Sequence, residues 1–164
     1  MFLKKNKQKS QWKKKRKKKI SEEKKKRLAV IRVRGQTGIK KDIKDTLKML
    51  CLYRSNYCVV VDDSLLGMVR KAKDYVTWGE IDDETYRLLV EKRGKEYKGR
   101  LTDSKKKINY KKFIIVNNKK YKKYFRLSPP RGGFERKGIK TPFTKSGALG
   151  YRKEKINDLI KKMV

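Results

Sequence analysis

The amino-acid sequence predicts an α+β fold, and two patterns along the chain support that prediction. Short β-rich runs alternate with segments whose apolar residues recur at helical spacing, in the order β-α-β-α-β-α. A separate apolar stripe closes the chain, because Ile156, Leu159, Ile160 and Met163 fall on one face of a helix. The 164 residues are enough for one domain of ordinary size with basic tails.

The elements are predicted from strand-forming runs, helix caps and stop signals. The strands are predicted at 28–34, which Gly35 ends, at 57–61 and at 75–78. The helices are predicted to be capped by Thr37, by 62–64 and by Asp82, and Gly94 ends the third. Their inward residues are predicted to be Ile43, Leu47, Leu50 and Cys51, then Leu65, Met68, Val69 and Ala72, then Tyr86, Leu89 and Val90. We expect each helix to cover one sheet face, which leaves the other sheet face and the helix exteriors free for basic residues.

Composition shifts divide the chain into four segments. Residues 1–27 form a basic N-terminal extension, and residues 28–94 form the compact β-α-β-α-β core with its last helix. Residues 95–123 are lysine-rich, with one apolar run, 113–116, that is predicted as a short strand. Residues 124–164 hold an extended loop and the C-terminal helix.

The formal net charge of +34, from 51 lysines and arginines against 17 acids, points to a polyanionic partner. Residues 1–27 contain 15 lysines and arginines and two glutamates, so they carry +13 and leave +21 on the rest. The body is therefore basic without its tail, which favours phosphate backbone as the partner.

The candidate RNA-binding residues lie in both parts. In the tail they are Lys13, Lys14, Lys15, Arg16 and Lys17. In the body they are Arg34, Lys40, Lys41, Arg54, Arg126, Arg131, Gly132, Gly133, Arg136 and Lys140.

The segment Pro129-Pro130-Arg131-Gly132-Gly133 is the most informative short motif. The prolines fix an extended backbone, the glycines permit positive φ, and the arginine can fork two phosphate oxygens or stack on a base. It is either a loop that presses into folded RNA or an ordinary tight turn, and the surrounding charge favours RNA. Tyr110, Tyr121 and Tyr124 either stack on bases or pack on the core.

The sequence offers no apparatus for catalysis. It contains no histidine, and Cys51 and Cys58 fall inside apolar runs, where they are predicted to be core residues rather than a metal site. The acidic groups at 62–63 and 82–84 precede helices and are predicted to cap them. Neither a nucleotide-binding loop nor a dinucleotide fingerprint is present, so no cofactor, metal or enzyme activity is expected. No apolar stretch approaches the roughly 20 residues of a membrane span.

Four motifs in this order resemble one known family: 45–50 (DTLKML), 74–81 (DYVTWGEI), 92–94 (KRG) and 125–133 (FRLSPPRGG). They resemble the large-subunit ribosomal protein family called L-thirty in bacteria and L-seven in eukaryotes, over nearly all of 28–164. The match is closest to archaeal and eukaryotic members, and the N-terminal extension and the closing 151–160 look like the eukaryotic type.

The resemblance implies a compact core similar to the ferredoxin-like fold, with no catalytic residues and no cofactor. It implies binding to large-subunit ribosomal RNA near the 5S RNA region, beside neighbouring ribosomal proteins, in cytoplasmic ribosomes assembled in the nucleolus if the source is eukaryotic. It places Arg131, Gly132 and Gly133 in the family's loop and Arg54 at the end of the first helix. Longer members carry a helical segment between 101–103 and 125–127, which is short and lysine-rich here.

Three function classes follow from these observations. A structural ribosomal protein is favoured, a free nucleic-acid-binding factor such as a nucleolar assembly or chromatin protein is the alternative, and a nucleic-acid enzyme is remote. Stoichiometric occupancy of mature ribosomes separates the first two.

Overall fold

The structure is a computed structural model that describes residues 27–108, 110 and 113–164. In these residues the strands are β1 (Arg27–Arg32), β2 (Tyr57–Asp62), β3 (Val76–Glu80), β4 (Phe113–Val116), β5 (Lys119–Lys122), β6 (Tyr124–Arg126) and β7 (Gly150–Tyr151). The α-helices are α1 (Lys41–Met49), α2 (Leu66–Lys71), α3 (Asp83–Arg93) and α4 (Ile156–Met163). The predicted α+β class and the predicted element order up to α3 are confirmed.

Five strands form one mixed sheet in the order β6-β2-β1-β3-β7. The pairs β1–β2, β1–β3 and β2–β6 are antiparallel, whereas β3 and β7 are parallel. β1 is therefore the central strand, and its run of apolar residues is buried from Leu28 to Ile31. A strand that is buried on both faces needs such a continuous run rather than an alternating one.

Helices cover both faces of this sheet. Leu28 and Val30 of β1 pack on one face with Leu47 of α1 and Val69 of α2. Ala29 and Ile31 pack on the other face with Leu89 of α3 and the apolar stripe of α4, which is buried as predicted. The expectation that one sheet face stays free for basic residues is wrong, because α3 and α4 occupy it. The basic residues lie instead on helix exteriors, at a sheet end and on loops.

The lysine-rich segment contains a second, two-stranded sheet. β4 is the strand predicted there, and β5 pairs with it in antiparallel register from Phe113–Lys122 to Val116–Lys119. Asn117 and Asn118 form the connecting turn with φ of 49° and 61°. Asparagine tolerates positive φ at both central positions of such two-residue hairpin turns.

Two helix starts differ from the prediction. α1 begins after Lys40 rather than after Thr37, and 63–65 form a 3₁₀ turn that delays α2 until Leu66. Leu65 is consequently 38% exposed instead of inward. Asp82 does occupy the N-cap position of α3, but its side chain makes no capping hydrogen bond. Its acidic neighbours Asp83 and Glu84 fill the first turn, where they favour the helix dipole.

The described residues contain neither a membrane-spanning helix nor a cluster suited to a metal ion. None of their helices has the length and apolar run needed to cross a lipid bilayer. Within the same residues, no three histidine, cysteine or acidic side chains come together as a metal site.

Candidate nucleic-acid interface

The predicted RNA-binding residues fall into separate places in the structure. The tail candidates Lys13, Lys14, Lys15, Arg16 and Lys17 lie outside the described residues. Arg34, Arg54 and Arg126 lie at one end of the sheet, Lys40 and Lys41 at the start of α1, and Arg131, Gly132, Gly133, Arg136 and Lys140 in the segment between β6 and β7. All of these described candidates are exposed except Arg34, which is half-buried.

Strand direction explains why three candidates from distant parts of the chain share one sheet end. β1 and β6 end where β2 begins, since Tyr57 pairs with Arg126 and Ile31 pairs with Cys58. Arg54 is in the turn before β2 and not at the end of α1, which stops at Met49. The implied position of Arg54 at the helix end is therefore wrong, although the residue is exposed.

Three tyrosines lie at this sheet end, and Arg126 stands over two of them. The rings of Tyr57 and Tyr124 stack with centroids 5.0 Å apart and an interplanar angle of 13°. Tyr53 meets Tyr124 edge-on, at 5.7 Å and 86°. The Arg126 guanidinium carbon lies 5.6 Å from the Tyr57 centroid and 5.9 Å from that of Tyr124. We call these four residues the sheet-end cluster.

The tyrosines also act on the pKa of Arg126. Interaction with the Tyr124 side chain, and then with Tyr57, raises the pKa of Arg126 above its ordinary value. Its guanidinium, like that of any arginine, is positively charged, and the exposed side chain can meet a phosphate or a base.

Beneath the cluster, the buried side chain of Arg32 holds two loops together. Its Nη1 donates to the carbonyls of Leu52 at 2.8 Å and Tyr53 at 3.1 Å, and its Nη2 donates to that of Gly35 at 2.7 Å. Burial lowers the pKa of Arg32, so these acceptors are what make a charged group tolerable there. Arg32 is a structural cation that fixes the backbone of Tyr53.

The Pro129-Pro130-Arg131-Gly132-Gly133 segment is a tight turn on the C-terminal end of α4. The N–H of Gly133 donates to the carbonyl of Pro130 at 2.9 Å, and the N–H of Arg131 donates to that of Lys162 at 3.1 Å. Gly132 and Gly133 have φ of 79° and 78°, as their predicted role requires. A Cβ at either position would meet nothing within 4 Å, so the backbone faces open space on that side.

This turn forms one wall of an open, mostly basic groove of about 660 Å³, which we call the loop groove. Its basic lining residues are Arg131, Arg136, Arg152, Lys155 and Lys162, its aromatic ones are Phe134 and Phe143, and its acids are Glu135 and Asp158. The groove thus combines exposed backbone, cationic side chains and aromatic rings on one concave surface. Surfaces of this kind bind phosphates and unpaired nucleotides.

The sequence pattern did not predict the role of Arg152, which organises the loop groove from inside. Its guanidinium donates to Glu135 Oε1 at 2.7 Å and to Thr77 Oγ1 at 2.9 Å, and it lies 4.5 Å from the Phe143 centroid. Only 3% of the residue is exposed. The ion pair neutralises Glu135, so one of the two acids in the groove does not repel an anion.

The exposed candidates make no ion pairs of their own in the part of the chain that the structure describes. The ion pairs between described residues join Arg27 to Asp83 and Arg152 to Glu135. Arg54, Arg126, Arg131 and Arg136 are therefore unneutralised by carboxylates of the described residues.

These features define a strongly basic α+β protein with exposed cations at a sheet end and beside a glycine turn. A family model described as "Ribosomal protein L30p/L7e" matches residues 28–76. A Methanopyrus kandleri protein named "Large ribosomal subunit protein uL30" is 44% identical over 149 residues, which covers 80% of this chain and all of that protein. The chain belongs to the ribosomal protein L30p/L7e family.

Two further archaeal relatives bear the same name. The Methanococcus vannielii protein is 46% identical over 151 residues, covering 83% of this chain and 98% of its own length. The Nanoarchaeum equitans protein is 44% identical over 147 residues, covering 80% of this chain and 95% of its own length. The predicted family is confirmed; the eukaryotic type of the N-terminal extension and of 151–160 stays a prediction.

The extent of the matches agrees with a shortened segment in this chain. The alignment with the Methanopyrus kandleri protein is 149 positions long and covers 80% of this chain. That share of the 164 residues is fewer than 149, so the alignment contains gaps on the side of this chain. That relative therefore has positions without a counterpart here. A two-stranded hairpin, β4–β5, occupies the stretch in which the resemblance implies a helix for longer members.

Proposed function

We propose that the protein is a structural constituent of the large ribosomal subunit that binds and stabilises ribosomal RNA, and that it is not an enzyme. The observation that carries this proposal is the set of exposed arginines at the sheet end and in the loop groove that no carboxylate of the described residues neutralises. Family membership supports the ribosome as the place where these cations are used.

Phosphate contacts supply most of the affinity in this proposal. Arg131 and Arg136 face the loop groove together with Lys155 and Lys162, and the open backbone at Gly132 lets a phosphate approach closely. Lys40, Lys41 and Lys140 add exposed charge elsewhere on the body. Such contacts position a protein on folded RNA without reading its sequence.

Finer features of the proposal rest on the family resemblance. They are contact with ribosomal RNA near the 5S RNA region, contact with neighbouring ribosomal proteins, residence in cytoplasmic ribosomes, and nucleolar assembly if the source is eukaryotic. The tail residues Lys13, Lys14, Lys15, Arg16 and Lys17 would extend the RNA contact beyond the described body.

The experiment is a binding titration of the full chain with a large-subunit ribosomal RNA fragment over a range of salt concentrations. The double variant Arg131→Ala/Arg136→Ala should bind more weakly, with a salt slope smaller by about one for each phosphate that the variant no longer neutralises. The matched control is Arg70→Ala/Lys71→Ala, which removes the same charge from exposed positions on α2, on the opposite sheet face. Equal effects of the two double variants would show that the loop groove does not bind RNA.

A further inference from the structure

The sheet-end cluster has a feature that phosphate binding does not use, because it presents an aromatic ring to solvent. Tyr53 is 42% exposed, whereas its neighbour Tyr57 is 9% exposed. Tyr57 and Tyr124 pack with the core of the first sheet face, so they have a structural role. The ring of Tyr53 lies at the outside of the cluster, edge-on to Tyr124.

From this arrangement we propose that Tyr53 and Arg126 form a stacking site for an unpaired RNA base. The inference rests on the proposed function, since it names the kind of nucleotide that this surface takes. An aromatic face and a guanidinium plane are the two groups on which extruded bases stack, and every base has a face that fits.

The site is held in place before any ligand arrives. The Tyr53 carbonyl accepts hydrogen bonds from the Arg32 guanidinium and from the side-chain amide of Gln36. The edge-on contact with Tyr124 orients the Tyr53 ring, and the two tyrosines near Arg126 orient its guanidinium. Binding a base therefore costs little ordering of these side chains.

The charges at the site suit a nucleotide. Interaction with Cys51, followed by burial, raises the pKa of Tyr53 to about 12, so the phenol is neutral at physiological pH and does not repel phosphate. Arg54, next to Tyr53 in the chain, is exposed and pairs with no carboxylate of the described residues. A base stacked on Tyr53 can thus have its phosphate near the Arg54 cation.

The test compares three RNA probes of equal length with the full chain: single-stranded oligouridine, the same backbone with abasic sites, and a duplex. Tyr53→Leu should lose about tenfold affinity for oligouridine and little for the abasic strand or the duplex, because only the first offers free bases. Tyr53→Phe keeps the ring and should bind all three like the wild type.

Tyr151→Leu is the matched control. Tyr151 is 43% exposed and lies on β7, at the opposite edge of the sheet, where its ring centroid is 6.4 Å from that of Trp78 on β3. It should leave the affinity for oligouridine unchanged. Circular dichroism of each variant separates unfolding from weaker binding by a folded protein.

The outcomes separate the two claims. Equal losses of affinity by Tyr53→Leu on all three probes, or no loss on oligouridine, would overturn the stacking site while leaving phosphate binding intact. If the wild type bound none of the probes or the ribosomal RNA fragment, the proposed function itself would fail.

Discussion

The buried side chain of Arg152, which directly follows β7, donates a hydrogen bond from Nε to Oγ1 of Thr77 on β3 across 2.9 Å. The same guanidinium binds Glu135 Oε1 at 2.7 Å and the carbonyl of Ala148 at 3.2 Å. The Arg152 cation therefore stabilises the fold and is not available to an external anion. The loop groove depends on it, because Glu135 and Arg136 are held through this contact.

Replacing Arg152 by methionine should lower the free energy of unfolding by about 3 kcal/mol, since several buried acceptors lose their donor while the apolar bulk is kept. Urea unfolding followed by circular dichroism measures the change. The control is Arg136→Met, at an exposed position, which should stay within about 0.5 kcal/mol of the wild type. Equal stability of Arg152→Met and the wild type would mean that the loop is not anchored through this side chain.

Two glycines with open surroundings should respond to alanine with opposite signs. Gly133 has φ of 78°, so Gly133→Ala should destabilise the protein by about 1 kcal/mol through backbone strain. Gly67 lies inside α2, and its added Cβ would meet nothing within 4 Å, so Gly67→Ala should stabilise by about 0.5–1 kcal/mol. Thermal and urea unfolding measure both, and a shared sign would refute the assigned backbone conformations.

Cys58 should be unreactive in the folded protein. Complete burial raises the pKa of its thiol to about 12, whereas Cys51 is partly exposed. At pH 8 a thiol reagent should modify one cysteine of the folded chain and two after urea unfolding. In Cys51→Ala the fast reaction should disappear; two thiols reacting at similar rates in the wild type would exclude a buried Cys58.

The raised pKa of Cys58 also predicts that the free energy of unfolding depends on pH. The folded state keeps the Cys58 proton at pH values where the unfolded state has lost it, so this stabilisation is complete below about pH 9 and is lost as pH rises towards about 12. Between these values the free energy of unfolding of the wild type should fall more steeply than that of Cys58→Ala, by up to about 1.4 kcal/mol per pH unit. Parallel curves for the two proteins would contradict the raised pKa.

Removal of residues 1–26 should weaken RNA binding and reduce its salt slope without unfolding the body. These residues contain 14 lysines and arginines and two glutamates, so their removal takes away much of the positive charge. The cut keeps Arg27, the first residue of β1, and its ion pair with Asp83. RNA titrations at several salt concentrations test the affinity, and circular dichroism tests the fold. Loss of the helical signal on truncation would place the domain boundary upstream of Arg27.

Periodicity carried much of the fold prediction. The apolar residues of α4, β1 and β2 were predicted to be buried, and they are. Their spacing along the chain puts them on the faces that pack against the core. β5, β6 and β7 were missed for physical reasons. β5 reads as lysines and one tyrosine, β6 is three residues long, and β7 is two residues, Gly150 and Tyr151, that pair with β3 from a distant part of the chain.

The site was harder to predict than the fold because burial separates arginines that look alike in sequence. Arg34 was predicted to bind RNA, yet it is half-buried and donates to the carbonyl of Asp74. Arg32 and Arg152 are 3% exposed and bind carbonyls or a carboxylate, whereas Arg126 and Arg131 are exposed. Only tertiary structure decides which guanidiniums stabilise the chain and which remain for a polyanion.

Occupancy of the large ribosomal subunit tests the central claim most directly. Lysate of the source organism is washed at high salt and sedimented on a sucrose gradient, and this protein is quantified against other large-subunit proteins. We predict near-equal stoichiometry in the large-subunit fraction. A substoichiometric or fully salt-stripped signal would contradict the proposal and favour a free nucleic-acid-binding factor with this fold.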